Sequence, residues 1–292
     1  MVETMTGKTV VMAALCLCMA AGSGTAAYGQ AGGWKFSWSR DRMDGSRTGC
    51  ISPSADDVEE SVGKVKGRTY YAPNGRVYKG GTVADVASAV LKAQPVMAPV
   101  KKVIGHAPVA MVREEPECAL SDMFIDTIMA AVERKSGKKV HVGIGNFGGI
   151  RVDLPAGDIL LDDMLSMFPF KNSIVYVALK GSDLRAILEQ MAATRIQVLG
   201  GVRIEVSGGK LVSATIGGEP IDDSEIYGVA TISFLLDGGD NLYVGRNAVE
   251  ICDYDDIDII DVMLDYIEDE TEAGRDIVYS ADGRVKVLDC AL

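Results

Sequence analysis

ALSDMFIDTIMAAVERKSGKKVHVGIGNFGGIR runs from Ala119 to Arg151. Leu120, Phe124, Ile128 and Val132 recur every four residues, the interval that returns side chains to one face of an α-helix. Ser136-Gly137 closes that run, with glycine at the position where helices commonly end. The pattern then changes. VHVGIG is a short apolar run and reads as a buried strand. It delivers the chain to Asn146 and a polar, glycine-bearing turn that ends on Arg151. A helix, a buried strand and a polar turn in sequence point to a domain that mixes α and β structure.

The elements farther along keep this character. SIVYVALKG reads as another strand. GSDLRAILEQMAA reads as a helix, with Ser182 as N-cap and Leu184, Ile187, Leu188 and Met191 on one face. GVRIEVSGGKLVSATIGG reads as two strands around the hairpin signal Ser207-Gly208-Gly209. IYGVATISFLL reads as one longer strand that stops at DGGD. DIDIIDVMLDYIEDE reads as a helix, with Ile260, Met263, Leu264 and Ile267 inward and acidic residues at its positive N-terminal end. DIVYSADGRVKVLD reads as a closing hairpin that turns at Asp282-Gly283. Upstream, VADVASAVLKAQ is a candidate short helix and KKVIGHAPVAMV a candidate strand. Helices and hairpins in this order predict a mixed α/β (α+β) domain, with a mixed sheet and packed helices, rather than a regular βαβ array. No internal repeat is visible.

The first residues read as an export signal. Lys8 precedes the apolar run TVVMAALCLCMAAGSGTAA, and Ala27 and Gly29 are small residues before a cut at Gln30. A membrane span would need about 20 apolar residues, and Gly-Ser-Gly interrupts this run early. A lipoprotein is the alternative, because Cys16 and Cys18 lie in the run, although each follows a leucine rather than a small residue. The expected organisation is therefore a signal peptide at 1–29, a flexible polar leader at 30–68 and one domain at 69–292. The expected location is the periplasm or the extracellular space.

The formal net charge is −12. Nucleic acid and anionic lipid both require basic surface, so neither is expected as the main partner. A small anion held by a few local arginines is compatible with that charge. Cys50, Cys118, Cys252 and Cys290 remain after signal removal, and their pairing is open. There is no CxxC spacing to suggest zinc. Only two histidines occur, His106 and His141, each in an apolar stretch where a structural role is expected. DYDDIDIID lacks the central Gly and terminal Glu of a calcium loop. No Ser-His-Asp or Cys-His motif is recognisable.

Four short pieces remain: NFGGIR, PFKN, VALKGSDLRAILE and FLLDGGDNLY. Each alone has an ordinary explanation. A Gly-Gly pair is commonly a turn, and Asp-Gly-Gly-Asp is commonly a loop that bonds its own amides. Taken in this order, from about Gly81 to Leu288, they resemble the C-terminal, substrate-recognition domain of the 5′-nucleotidase and UDP-sugar hydrolase family. That family carries Asn-x-Gly-Gly-Ile-Arg, then Pro-Phe, then a Leu-x-Gly-x-x-Leu helix start, then Phe followed by Gly-Gly-Asp.

The resemblance implies a set of roles. Phe170 and Phe234 would sandwich a nucleotide base, since aromatic stacking accepts any base. Asp240 would accept from both ribose hydroxyls. Asn146 and Arg151 would reach the polar side of the ligand, the guanidinium as a fork for phosphate oxygens. Gly148 and Gly149 would let the backbone bring these side chains inward. Ser121 and Asp122 stand where the family usually has Gly-Asn, and the family's further basic residues near Glu117 have no clear counterpart. The family's metallophosphatase domain binds two metal ions through several His, Asp and Asn residues, a set that this chain's motifs do not provide.

The expected function is thus recognition of a nucleotide or nucleoside within an exported 5′-nucleotidase system. No cofactor is expected in this chain, and the divalent metals would be carried by a separate metallophosphatase. Two alternatives are a stand-alone protein that captures nucleosides or nucleotides for scavenging, and a structural relic that has lost its ligand.

Overall fold

A buried helix laid on glycine-bearing strands organises the structure, a computed structural model that describes residues 28–31, 34–37 and 58–288. Strands β1 (Tyr28–Ala31) and β2 (Trp34–Ser37) pair with each other as an antiparallel hairpin. The rest of the expected signal peptide lies outside the described residues. After residue 58 come a short helix α1 (Val58–Val62) and the antiparallel meander β3 (Lys64–Lys66), β4 (Thr69–Tyr71) and β5 (Val77–Lys79). The boundary expected at residue 68 therefore falls inside a small sheet. Helix α2 (Thr82–Met97) covers the expected VADVASAVLKAQ and extends past it.

Next come β6 (Val103–Ala107), α3 (Ala119–Ser136), β7 (Val142–Gly145), β8 (Gly157–Leu160), α4 (Leu161–Met167) and β9 (Ser173–Lys180). They are followed by α5 (Gly181–Ala193), β10 (Val198–Gly200), β11 (Val202–Ser207), β12 (Lys210–Ile216), β13 (Glu219–Pro220), β14 (Ile226–Ile232) and α6 (Ser233–Leu236). The last elements are β15 (Glu250–Asp258), α7 (Ile259–Glu272) and β16 (Val285–Val287). The main sheet has the order β10-β7-β14-β9-β15, in which only β14 and β7 run parallel. A second sheet has the order β13-β12-β11-β16, and β6 pairs with β8. This is the mixed α/β architecture expected from the sequence.

Helix α3 lies directly on the main sheet. Leu120, Phe124, Ile128 and Val132 are fully buried. Burying each such side chain contributes about 1.5–3 kcal/mol. The close approach depends on Gly143 and Gly145, which alternate onto one face of β7. A Cβ at Gly143 would stand 2.5 Å from Ile125 Cγ1, and one at Gly145 would stand 2.7 Å from Phe124 Cε1. Both ends of the helix are capped. Cys118 Sγ accepts from the Ser121 amide at 3.4 Å and Ser121 Oγ accepts from the Cys118 amide at 3.0 Å. Gly137 takes the left-handed conformation, φ 65°. Cys118 is buried and unpaired, Cys252 is also unpaired, and Cys50 and Cys290 lie outside the described residues.

Four sequence expectations need correction. Ser182 does not cap α5, because the cap position is Lys180 and no side chain bonds there. Instead the Gly181 and Ser182 amides donate to the Glu225 and Asp223 carbonyls. That loop sits so close that a Cβ at Gly181 would lie 1.9 Å from the Asp222 carbonyl oxygen. The strand expected over IYGVATISFLL stops at Ile232, where its partner β9 runs out opposite Ile174. The acidic residues expected in the first turn of the last helix lie instead on β15, an edge strand with Lys135 and Lys138 paired to Asp256 and Glu250. The helix starts at Ile259, and its fully inward residues are Ile259, Val262, Met263 and Ile267, while Ile260 and Leu264 pack at the margin. Finally, Asp282-Gly283 makes no hairpin. β16 pairs parallel with β11, and the Asp282, Gly283 and Val285 amides donate to the Glu117 carboxylate. A side chain takes the donors that an antiparallel strand would have used.

Candidate functional site

Asn146 follows the last residue of β7 and leads into a 3₁₀ turn, Phe147–Gly149. Its side chain is buried, and Nδ2 donates to Asp240 Oδ2 at 2.8 Å. Asp240 sits in a second 3₁₀ turn, Gly239–Asn241, with φ 49°. That left-handed geometry is uncommon for a residue with a Cβ and is typical of functional turns. Gly148 and Gly149 do not adopt positive φ. Their contribution is space: a Cβ at Gly149 would stand 2.8 Å from Asn146 Oδ1, and one at Gly148 would stand 3.2 Å from Asn146 Nδ2. The inward Asn146 amide therefore depends most on Gly149, and Gly148 leaves it little room to spare.

Arg151 extends the group in the other direction. Its Nη1 donates to the Gly148 carbonyl at 3.2 Å, and its guanidinium lies over the Phe170 ring, 5.6 Å from the centroid. The Arg151 amide donates to the Met167 carbonyl at 3.0 Å, which ties the turn to the end of α4 and brings Phe170 alongside. Phe234 joins from the far side. The strand-to-helix change at Ile232 places it on α6, and its ring covers Gly239. A Cβ on Gly239 would stand 2.6 Å from ring atoms Cδ1 and Cε1. All seven expected site residues thus belong to one run of contacts, Phe170–Arg151–Gly148/Gly149–Asn146–Asp240–Gly239–Phe234. Phe170 and Phe234 are 46% and 45% exposed, although large aromatic rings are usually covered.

Sequence reasoning missed other members of this neighbourhood. Gln197, buried just before β10, accepts from the Phe147 amide through Oε1 at 3.1 Å and donates from Nε2 to Asp240 Oδ2 at 3.4 Å. Arg195 forms a two-bond ion pair with Glu115. Arg113 Nη1 donates to the Phe147 carbonyl at 3.2 Å. Gln190 Nε2 donates to the Asn241 carbonyl at 2.5 Å. None of these carries a local sequence signal.

A second polar cluster lies at the start of α3. Arg284 is buried, and its two Nη atoms reach the Asp126 carboxylate at 2.7 and 2.6 Å. Its Nε lies 3.1 Å from Asp282 and 3.4 Å from Asp122. Glu117, Asp122 and Asp282 bring carboxylate oxygens within 4.8 Å of one another. A metal ion does not fit well here, because the guanidinium already supplies the positive charge and backbone amides occupy both Glu117 oxygens. Burial pushes the Asp122 carboxyl up to about 7; Arg284 opposes the shift and the Glu117 charge adds to it. Burial would also raise Glu117, but the backbone amides outweigh it and hold this carboxyl below its usual range. Ser121 and Asp122 thus serve as a helix cap and part of an ion-pair cluster.

Both histidines have protein partners. His106 Nδ1 lies 3.1 Å from Asp276 Oδ1. His141 Nδ1 accepts from the Gly228 amide at 2.9 Å, and its ring meets Tyr227 edge-on. Burial lowers the His141 pKa.

The site lies wholly within residues 103–245, which match the family model described as 5′-nucleotidase, C-terminal domain. This segment belongs to the 5′-nucleotidase C-terminal domain family. Protein UshA of Salmonella pullorum is 34% identical over 118 residues, which cover 39% of this chain and 21% of that protein. A 5′-nucleotidase-related protein of Glossina morsitans morsitans is 26% identical over 218 residues, 64% of this chain and 38% of its own length. Among solved structures, the 5′-nucleotidase precursor of Thermus thermophilus superposes with a TM-score of 0.62 at 26% identity, covering 72% of this chain and 44% of that one. The chain therefore spans less than half the length of each of these relatives. Among the described residues, no helix is long and apolar enough to cross a membrane.

Proposed function

We propose that the domain recognises a nucleoside or nucleotide at the group running from Phe170 to Phe234. The base stacks on the two half-exposed rings, Asp240 accepts from the ribose diol, and Arg151 presents its guanidinium toward the phosphate side. The contiguity of these residues carries this reading. Chain segments separated by as many as 94 positions in sequence converge, and the two large rings are left uncovered at its ends. Hydrolysis, in this reading, is performed by a metallophosphatase encoded separately, within an exported nucleotidase system. Both histidines are held in protein contacts, and the Glu117, Asp122 and Asp282 carboxylates are held by Arg284 and backbone amides, so these side chains are not offered to catalytic metals.

Calorimetric titration with adenosine and AMP tests the recognition. Removing the Phe234 ring by Phe234→Ala should weaken nucleoside binding by about 1–3 kcal/mol, roughly 5- to 150-fold. Thermal stability should change little, because the ring is half-exposed. Equal affinity in the variant and the parent protein would remove Phe234 from the site. For the partner, co-expression with an exported metallophosphatase should give co-purification and AMP hydrolysis that depends on the pair. A phosphatase that runs equally well alone and never co-purifies would leave capture of the nucleotide as the function.

A further inference from the structure

We propose that Gln197 is a positioning residue for Asp240, fixing one carboxylate oxygen so that the other faces the ligand diol. The proposal rests on the recognition reading above and assigns how the site tells a ribose from a sugar without hydroxyls. Asp240 projects from a short turn with a left-handed backbone, and a carboxylate there would otherwise rotate freely. Two side-chain amides reach it, and both end on the same atom, Oδ2: Asn146 Nδ2 at 2.8 Å and, at a longer 3.4 Å, Gln197 Nε2. Two amide donors on one oxygen set the carboxylate plane and leave Oδ1 as the acceptor for hydroxyls.

Gln197 suits this role for three reasons. It is 2% exposed, so packing holds its rotamer. Its orientation is fixed by its other end, where Oε1 accepts from the Phe147 amide at 3.1 Å, which in turn assigns the donor nitrogen to the Asp240 side. It also stands directly before β10, whose pairing with β7 anchors both Gln197 and the Asn146 turn to the same sheet. One carboxamide thereby couples the turn that bears Asn146 to the turn that bears Asp240. Only a group acting through Asp240 should change discrimination at the sugar.

The test measures affinities of the full chain for adenosine and 2′,3′-dideoxyadenosine. In the parent protein adenosine should bind at least about tenfold more tightly, as expected when a charged acceptor loses its hydroxyl partners. Gln197→Met, close in volume and without either hydrogen bond, should reduce that ratio several-fold while dideoxyadenosine affinity stays nearly constant. Phe234→Ala serves as the contrast, since it should weaken both ligands and preserve the ratio. If Gln197→Met does not fold, Gln197→Leu, also apolar and without a donor toward Asp240, gives the same reading. A parent protein that binds neither nucleoside overturns the recognition reading and this proposal with it, and one that binds both equally removes Asp240 from the diol and overturns this proposal. A parent that discriminates, with Gln197 variants that keep the full ratio, overturns the positioning role alone. Without ligand, the Gln197 side-chain amide protons should shift in the NMR spectrum of Asp240→Ala. Unmoved resonances would contradict the contact.

Discussion

Replacing Arg284 with Met lowers the stability of the fold by about 2–4 kcal/mol, the cost of removing a buried guanidinium that bridges the buried Asp122 and the partly exposed Asp126 and Asp282. Arg284 holds both oxygens of Asp126 and lies close to Asp122 and Asp282, and its Nη1 also donates to the Leu199 carbonyl of β10. Asp126 keeps one other partner, the Tyr279 hydroxyl. The side chain that is removed therefore joins the C-terminal segment, the start of α3 and the edge of the main sheet. For a domain of this size the loss corresponds to a fall in melting temperature on the order of 10 °C. Differential scanning calorimetry at neutral pH measures it. A fall of only a degree or two would mean that the guanidinium is not compensating these charges.

The second large effect is a pH dependence centred on Asp122. Its carboxyl is buried and titrates near 7 in the folded protein, against an ordinary value of 3.8. The folded state thus holds this proton more tightly than the unfolded state does. The stability this group contributes is complete below pH 4 and is lost as pH rises toward 7, so the slope is negative across that window. The full effect is about 4 kcal/mol, at 1.36 kcal/mol per pKa unit. Burial decides the sign by disfavouring the charged form; Arg284 attracts that form and Glu117 repels it. Asp122→Asn removes the titration, so the stability of the variant relative to the parent should rise between pH 4 and pH 7. Denaturant unfolding across that range measures the difference. A flat difference, or one that falls with pH, would show that Arg284 outweighs burial and the Glu117 charge.

The parts of this fold that are legible in the sequence are those where a local pattern and the final packing agree. The four-residue apolar interval from Leu120 to Val132 is the buried face of α3, and Gly137 ends that helix. The alternation of Gly143 and Gly145 is visible as composition, but its meaning, the seating of α3 on β7, needs the sheet. The C-terminal segment misleads because its turn chemistry is sound and its partner lies elsewhere. Asp282-Gly283 can turn a hairpin, yet Glu117, far away in sequence, takes the free amides. β15 is hidden for a related reason. Its aspartates suit a loop on propensity, and only pairing with β9 and the cations on and just beyond α3 make it a strand. The site residues are visible because their motifs are short, ordered and distinctive. Gln197 is not, since a lone glutamine before a strand has no pattern and acquires its role from two turns brought together by the sheet.

One ligand should bridge the two rings and the Asp240 carboxylate. The most direct measurement is a crystal structure of the chain with adenosine at saturating concentration. The account predicts the base lying against both Phe170 and Phe234, with the ribose hydroxyls within hydrogen-bond distance of Asp240 Oδ1 and the 5′ end directed toward Arg151. Adenosine bound at another place, or these residues left without ligand at a concentration where calorimetry records binding, would contradict it.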